Sequence, residues 1–361
     1  MATEKQTVYD IAVVGAGPAG AVFVKELTQA RPDLSILLID GQSPDSAKPC
    51  GGLLAPDAQK LLARFDLVLP KSVLEDPQIF AVETIDIGQK LVRYYQRHYL
   101  NMDRYAFDQW LLSLVPASVQ LLRGRCTRIT SAEDHHLLTV QQGDDRSCIA
   151  ARMIVGADGG GSVVRRTFFK PMKVQYMAIQ QWFENKGQRL PYYSCIFDSK
   201  TSDSCSWTIH KANYVIFGGA FKTQGCRRAF DKQRARLEAF LGNSFGEAVK
   251  TEACLVSSPR VMQDFCVGGG TVFLLGEAAG FISASSFEGL SSAMYSGKVL
   301  ADAFAESTAP EAVLKLYRKN TRSLRLKLRL KAVKRFLLCT PFTRSLIMRS
   351  GIQAIHPYAK K

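Results

Sequence analysis

The sequence has 361 residues, enough for two or three domains, and it lacks both an apolar run of membrane-spanning length and, in residues 1–10, the apolar stretch of a signal peptide. Its nine cysteines are scattered, without a Cys-x-x-Cys pair, which argues against a disulfide framework or a zinc site and favours reduced thiols in a cytoplasmic protein. The net charge of +15 is concentrated in residues 311–361, which hold 14 Lys and Arg against one acid, so this segment is expected to have a partner of its own.

The first predicted elements are a buried parallel strand over residues 11–14 and a helix that follows a glycine motif. The motif consists of Gly15, Ala16, Gly17, Pro18, Ala19 and Gly20. In this dinucleotide-binding pattern, Gly15 lets the chain turn, Gly17 lets backbone N–H groups reach a pyrophosphate, and Gly20 lets helix and strand pack closely. The next apolar strand ends at Asp40, at the distance expected for an acid that hydrogen-bonds a ribose 2′-OH. These features together predict a dinucleotide site at the helix N-terminus.

A loop with a cysteine beside two glycines follows this first unit. It contains Lys48, Pro49, Cys50, Gly51 and Gly52. Pro49 fixes the backbone before the cysteine, and the glycines allow a ligand ring to approach closely. Cys50 is therefore either a ligand-facing residue or a small buried filler, which is the usual place of a free cysteine.

Two more junctions between a buried strand and glycines lie far along the chain, after residues 151–155 and 271–275. Their polar and glycine residues, with the start of the helix that follows the last one, are Asp158, Gly276, Glu277, Gly289 and Leu290. One extended dinucleotide would explain why three such junctions occur in one chain, so we expect them to converge. The simpler interpretation of Asp158 is a helix N-cap.

The segment between these junctions has a different pattern. Aromatic and β-branched residues alternate with polar ones over residues 172–262, which predicts an antiparallel sheet, and residues 78–98 alternate in the same way. The sequence thus predicts an α/β protein in which a Rossmann-like dinucleotide-binding domain is interleaved with an antiparallel-sheet substrate domain, followed by basic C-terminal helices. The predicted boundaries are 1–75, 99–170 and 264–310 for the first domain, 76–98 and 171–263 for the second, and 311–361 for the helices.

The basic segment carries two faces at helical spacing, although residues 324–331 also alternate leucine with basic residues, which fits a strand. One face is apolar and the other is basic, formed respectively by Leu326, Leu330, Val333 and Leu337 and by Lys327, Lys331 and Lys334. Either the leucines pack on the body of the protein, or the segment docks on an anionic membrane surface and makes the protein peripheral to it. Few aromatic residues are present to stack bases, so nucleic-acid binding is not expected.

The three junctions resemble those of the flavoprotein hydroxylase superfamily with the para-hydroxybenzoate hydroxylase fold, whose cofactor is FAD. Within that superfamily, residues 48–52 and 281–290 resemble the geranylgeranyl reductase branch. The resemblance implies that Asp40 binds the adenosine ribose and that Cys50 and Gly51 lie beside the flavin. It also implies that Gly289 and Leu290 offer backbone N–H groups to the flavin N1–C2=O edge, where a helix start favours the reduced flavin.

Three further roles follow from the resemblance, and one motif departs from it. Arg104 would contact the pyrophosphate or the flavin side, Asp158 would steady the cofactor loops, and Glu277 stands where the superfamily usually has Asp. Prenyl reductases line their lipid tunnel with a Pro-x-x-Tyr-x-Trp-x-Phe-Pro stretch. Only Trp207 survives among the matching positions, which are Ser202, Cys205, Trp207, Ile209 and His210. Trp207 is therefore either pocket lining or a core aromatic.

The predicted function is an FAD-dependent oxidoreductase of the geranylgeranyl reductase type that reduces carbon–carbon double bonds of an apolar substrate, such as an isoprenoid. Cys50 would donate a proton or form a wall of the site. NAD(P)H or another electron donor would bind transiently, because the sequence shows no second dinucleotide fingerprint. The alternatives are an FAD-dependent monooxygenase and a flavin-bearing, membrane-associated binding or regulatory protein. The sequence does not set the oligomeric state.

Overall fold

The computed structural model describes residues 8–42, 48–185, 187 and 190–356. The outer ends of the predicted segments 1–75 and 311–361 lie outside these residues, as does the loop 43–47. The helices are α1 Pro18–Ala30, α2 Pro56–Arg64, α3 Arg104–Ser113, α4 Val163–Phe168, α5 Cys226–Leu241, α6 Leu290–Glu306, α7 Pro310–Asn320, α8 Arg322–Cys339 and α9 Pro341–Ser350.

Two sheets organise the strands. The first sheet contains β1 Val8–Val14, β2 Ile36–Asp40, β6 Gln120–Arg123, β7 Arg125–Ser131, β8 His136–Gln142, β9 Asp145–Gly156, β15 Gly268–Gly269 and β16 Val272–Leu274. The second contains β3 Leu53–Leu54, β4 Ile79–Asp86, β5 Leu91–Asn101, β10 Gln175–Glu184, β11 Tyr192–Phe197, β12 Cys205–Lys211, β13 Tyr214–Lys222, β14 Ala248–Ser257 and β17 Ala354–Ile355.

The first sheet has a parallel centre in the order β16-β9-β1-β2-β6. Strand β2 is buried along its whole length, as is usual for a parallel strand that is covered on both faces. Helix α1 packs against this sheet, and α6 packs closely on α1. A Cβ on Gly297 of α6 would lie 2.5 Å from the carbonyl oxygen of Ala19, so only glycine allows this approach. The carboxyl ends of β1, β9 and β16 therefore lie side by side, each followed by one of the predicted junctions.

The second sheet runs in the order β14-β10-β13-β12-β11-β4-β5-β17, with β3 paired to β5. All of these pairs are antiparallel except β4 with β11. The chain leaves β4–β5 to build β6–β9 of the first sheet before it returns in β10 and β11. Helix α5 covers this sheet through aromatic packing, in which the ring centroids of Phe217 and Phe230 are 5.1 Å apart.

Polar contacts anchor the C-terminal helices to both sheets. On α7, the buried Tyr317 hydroxyl donates to the carbonyl oxygen of Leu274 on β16 at 3.0 Å. On α9, Nε of the buried Arg344 donates to Oδ2 of Asp86 on β4 at 2.8 Å. Nη2 of Arg335, on α8, donates to the Tyr176 hydroxyl on β10 at 2.7 Å.

The apolar stripe of α8 does not take part in this anchoring. Leu326, Leu330, Val333 and Leu337 are all exposed, so the interpretation in which they pack on the body is wrong. The residue that α8 buries in the core is Leu328. Within the described part of the chain, no helix is both long enough and apolar enough to cross a bilayer.

Candidate functional site

A cavity of about 1820 Å³ is lined by residues of both sheets. Ligand pockets usually measure about 300–1,000 Å³, so this cavity has room for a large cofactor and a second molecule. Every residue that the sequence predicted for the site lines it except Gly20. The lining residues among them are Gly15, Ala16, Gly17, Ala19, Asp40, Cys50, Gly51, Gly52, Arg104, Asp158, Trp207, Gly276, Glu277, Gly289 and Leu290. The three junctions therefore converge on one space.

The glycines of the first junction lack side chains for different reasons. Gly15 has φ +108°, and a Cβ there would lie 2.5 Å from the carbonyl oxygen of Ala157 in the second junction. A Cβ on Gly20 would lie 2.0 Å from the Gly15 carbonyl oxygen, so this glycine lets helix and strand pack. Gly17 has φ −66°, and no atom lies within 4 Å of where its Cβ would be. The chain itself does not require glycine at this position, so the open space in front of α1 fits a bound group.

Two helix N-termini border the cavity. The hydrogen bonds from Ala21 N to Gly17 O in α1 and from Ala293 N to Gly289 O in α6 measure 2.9 Å and 2.8 Å. The N–H groups that precede these bonds have no carbonyl partner within their own helix. Both helix starts are therefore suited to a negatively charged group.

Asp158 hydrogen-bonds the start of α4, but the N-cap residue of that helix is Ser162, so the interpretation of Asp158 as the N-cap is wrong. Its Oδ1 accepts a hydrogen bond from Ser162 Oγ at 2.5 Å, and its Oδ2 accepts one from Val163 N at 2.6 Å. Burial raises the pKa of Asp158 above its ordinary value, although these hydrogen bonds oppose the rise. The carboxylate thus holds the glycine-rich loop to the start of α4.

Glu277 links the third junction to the second and to the cysteine loop. Its Oε2 lies 2.5 Å from Nζ of Lys48, and its Oε1 accepts a hydrogen bond from Ser257 N at 2.7 Å. A Cβ on Gly160 would lie 2.4 Å from the same Oε1. Burial alone would lower the pKa of Lys48, but the Glu277 carboxylate raises it above its ordinary value. The longer side chain of Glu277 therefore spans two loops, and its contact with a ribitol hydroxyl stays a prediction.

Asp40 has a partner that sequence reasoning missed. Its Oδ1 accepts a hydrogen bond from Gln42 N at 3.0 Å, and its Oδ2 pairs with Arg123 on β6. A carboxylate has about four acceptor sites, so the pair leaves capacity for ribose hydroxyls. The missing signal is the adjacency of β2 and β6, which are parallel neighbours in the sheet but far apart in sequence.

A buried lysine, Lys211, holds the cysteine loop through hydrogen bonds to backbone carbonyl oxygens. Gly52 has φ +61°, and its carbonyl oxygen accepts a hydrogen bond from Lys211 Nζ at 3.1 Å. The same Nζ donates to the carbonyl oxygen of Met102. Lys211 is only 4% exposed, and burial lowers its pKa to about 8. The amide of Gly52 points at Cys50 Sγ, 3.4 Å away. Lys211 was also missed by sequence reasoning, because a lysine at the end of an alternating strand is normally solvated.

Arg104 lies at this loop and is paired with an acid of its own helix. Its Nε donates to Oδ1 of Asp108 at 2.9 Å. Burial would lower the pKa of Arg104, whereas Asp108 and the adjacent Cys50 thiol raise it above its ordinary value. Arg104 therefore lies beside Cys50, and its contact with the pyrophosphate or the flavin side of a cofactor stays a prediction.

The second sheet supplies an apolar part of the cavity wall. The apolar residues of this wall come from the sheet and from neighbouring loops, and they include Val82, Ala178, Phe197, Ile209, Ile282 and Phe287. Trp207 also lines the cavity, and its buried Nε1–H has no hydrogen-bond partner in the described structure. A Cβ on Gly218 would lie 2.5 Å from this nitrogen, so the indole packs directly against the backbone of Gly218.

One polar cluster interrupts this wall beside Gly289. The Tyr99 hydroxyl donates to Oε1 of Glu288 at 2.8 Å, and the ring centroids of Tyr99 and Tyr193 are 5.2 Å apart. Burial and the Glu288 carboxylate both raise the pKa of Tyr99 above its ordinary value. Sequence reasoning missed this cluster, although Glu288 directly precedes the predicted Gly289.

The comparisons with known proteins agree with this architecture. The family model described as "Lycopene cyclase protein" matches residues 10–185. The chain is 43% identical over 354 residues to protein CbrA of Escherichia coli O6:H1, covering 96% of this chain and 94% of that protein. A geranylgeranyl bacteriochlorophyll reductase-like protein of Thermoplasma acidophilum has a similar structure, with a TM-score of 0.78, 17% identity and coverage of 94% and 90% of the two chains. The flavin-dependent brominase Bmp2 is also similar, with a TM-score of 0.70, 18% identity and coverage of 95% and 93%. The predicted fold class is confirmed.

Proposed function

The chain belongs to the CbrA family, and from that premise we propose that it is an FAD-dependent oxidoreductase that reduces carbon–carbon double bonds of an apolar substrate, such as an isoprenoid. The observation that carries the proposal is the shared cavity. Three dinucleotide-type junctions and the apolar face of the second sheet line one space, with the cysteine loop 48–52 also in its wall. A cofactor and an apolar substrate would therefore meet beside Cys50.

The residues present fit FAD. The open space at Gly17 and the N-terminus of α1 suit a diphosphate, and the carboxylate of Asp40 suits a ribose. The N-terminus of α6, at Gly289 and Leu290, suits the edge of an isoalloxazine ring that gains negative charge on reduction. Bound FAD would supply the hydride chemistry that protein side chains lack.

The chain's own contribution is to orient the substrate and to manage a proton. Trp207 and the apolar wall would exclude water and position the double bond. Cys50, which lines the cavity, would hold the proton that the second carbon needs. Lys211 fixes the loop through the carbonyl oxygens of Gly52 and Met102 and so keeps the thiol in place.

Double-bond reduction is preferred to oxygen transfer because residues 48–52 and 281–290 follow the geranylgeranyl reductase pattern. The similar fold of the brominase shows that the scaffold alone does not choose between reactions. NAD(P)H or another donor is proposed to bind only transiently, since the described chain has one set of dinucleotide-type junctions and the three of them share the cavity.

The test is anaerobic reduction of the holoprotein by NADH, NADPH or dithionite, followed by addition of bacterial lipid extract. We expect the flavin absorbance to return as a lipid gains the mass of one H₂. If the absorbance returns only with oxygen, and a product gains one oxygen atom, the protein is a monooxygenase. An enzymatic role would be contradicted if neither NADH nor NADPH reduces the flavin and if no extract reoxidises the flavin that dithionite has reduced.

A further inference from the structure

The outer surface of α8 and the start of α9 is an apolar ridge, which we define as Leu326, Leu330, Val333, Phe336, Leu337 and Phe342. All six side chains are exposed, and Leu330 and Phe342 reach 69% and 71%. Four of them follow the spacing i, i+4, i+7 and i+11, which keeps them on one line along α8. Single exposed apolar residues are common on proteins, but a contiguous ridge marks a surface that contacts another apolar phase.

Basic side chains flank this ridge on both sides. Helical spacing puts Lys327, Lys331 and Lys334 on one flank and Arg322, Arg325 and Arg329 on the other. The opposite face of α8 holds the helix to the protein through Leu328 and Arg335. A helix with an outward apolar line between two basic flanks has the design of a helix that lies in the headgroup region of an anionic bilayer.

The cavity reaches this same surface. Lys331 and Lys334 line it from the basic flank, and Ile347 and Ile352 line it from the segment after the ridge. Both isoleucines are also exposed, and Ile352 reaches 72%. Nζ of Lys331 lies 3.8 Å from Oδ2 of Asp57 on α2, and both partly exposed side chains line the cavity, so the basic flank forms part of its wall at the surface.

We infer that α8 and α9 dock the protein on an anionic lipid bilayer, with the apolar ridge in the headgroup region and the cavity opening against the membrane. Charge decides between the two occupants that could cover such a ridge. Residues 311–361 hold 14 basic groups and one acid, so a second copy would bring like charge against like charge, whereas phosphate headgroups complement it. Docking itself needs no flavin chemistry. The delivery of an apolar substrate from the bilayer through the opening rests on the proposed function.

Sedimentation of the full chain with vesicles tests the docking. We expect binding to vesicles of phosphatidylcholine with phosphatidylglycerol, weak binding to phosphatidylcholine alone, and loss of binding at high salt. Replacement of Lys327 and Lys334 by Gln should weaken the partition coefficient about fivefold per charge, whereas Lys232→Gln, on exposed α5, should leave it unchanged.

Two aspartate variants test the ridge. The double variant Leu330→Asp with Phe342→Asp should abolish vesicle binding, and Val249→Asp, at an exposed site on the opposite edge strand β14, should not. Circular dichroism melting shows whether each variant is folded, and light scattering during size exclusion gives the mass in solution. A folded wild-type protein that does not bind anionic vesicles would overturn the inference. If that chain is also a dimer that the ridge variant makes monomeric, a second copy is the occupant. Vesicle binding by a protein without FAD would support docking while contradicting the proposed function.

Discussion

Replacement of Gly17 by Ala tests whether this glycine is required for cofactor binding rather than for the fold. Because no atom lies within 4 Å of the new Cβ and φ is −66°, the fold loses only the N-cap preference for glycine, about 1 kcal/mol. The methyl group would instead stand in the cavity, in front of the α1 N-terminus. Loss of one charge-assisted hydrogen bond to a diphosphate costs about 1.5–3 kcal/mol. FAD binding should therefore weaken about ten- to hundredfold.

Gly15→Ala is the matched comparison. Its Cβ would lie 2.5 Å from the Ala157 carbonyl oxygen, and φ is +108°, so backbone strain alone would cost about 1–3 kcal/mol of folding stability. Urea unfolding gives the stability of each variant, and titration of apoprotein with FAD gives its affinity. The reasoning is refuted if Gly17→Ala binds FAD as the wild type does, or if it loses as much stability as Gly15→Ala.

Substitutions at Cys50, Lys211 and Arg344 test other parts of the account. Cys50→Ala should retain FAD but slow turnover, and Cys50→Ser should recover part of the rate; an unchanged rate would remove Cys50 from the chemistry. For Lys211, burial lowers the pKa from 10.5 to about 8, so the folded state binds fewer protons than the unfolded state between these values. Stability should therefore rise by about 3 kcal/mol as the pH rises through that window, and Lys211→Met should remove this rise in urea unfolding. Arg344→Met leaves the buried Asp86 carboxylate unpaired and should cost about 3–5 kcal/mol. In that last case, a further Asp86→Leu substitution should restore much of the loss, and no recovery would argue that packing matters more than charge.

The parallel sheet and its junctions could be predicted because their signals are local. An apolar strand, a glycine turn and a helix start lie within a few residues of one another, and two of the three glycines mark a close approach within the fold. Gly15 and Gly20 show this, since their missing Cβ atoms make room for Ala157 and for Gly15 itself. Convergence of the three junctions followed from the premise that one dinucleotide needs them all.

Features that depend on tertiary pairing could not be predicted in the same way. Arg123 reaches Asp40 only because β6 lies beside β2, and Lys211 becomes buried only because β12 runs under the cysteine loop. His136 is likewise buried only because β8 packs near Thr271, whose Oγ1 lies 2.8 Å from its Nε2 and 135 residues further along the chain. The exposed stripe of α8 is a similar case, since periodicity places residues on one face without saying which face meets the core.

The central claim is that one FAD molecule occupies the space between the three junctions. The most direct measurement is the absorbance spectrum of the purified protein, followed by mass analysis of the small molecule that denaturation releases. The account predicts a yellow protein that releases FAD in equimolar amount and takes it up again after removal. A colourless protein that does not take up added FAD, or one that releases FMN, would contradict it.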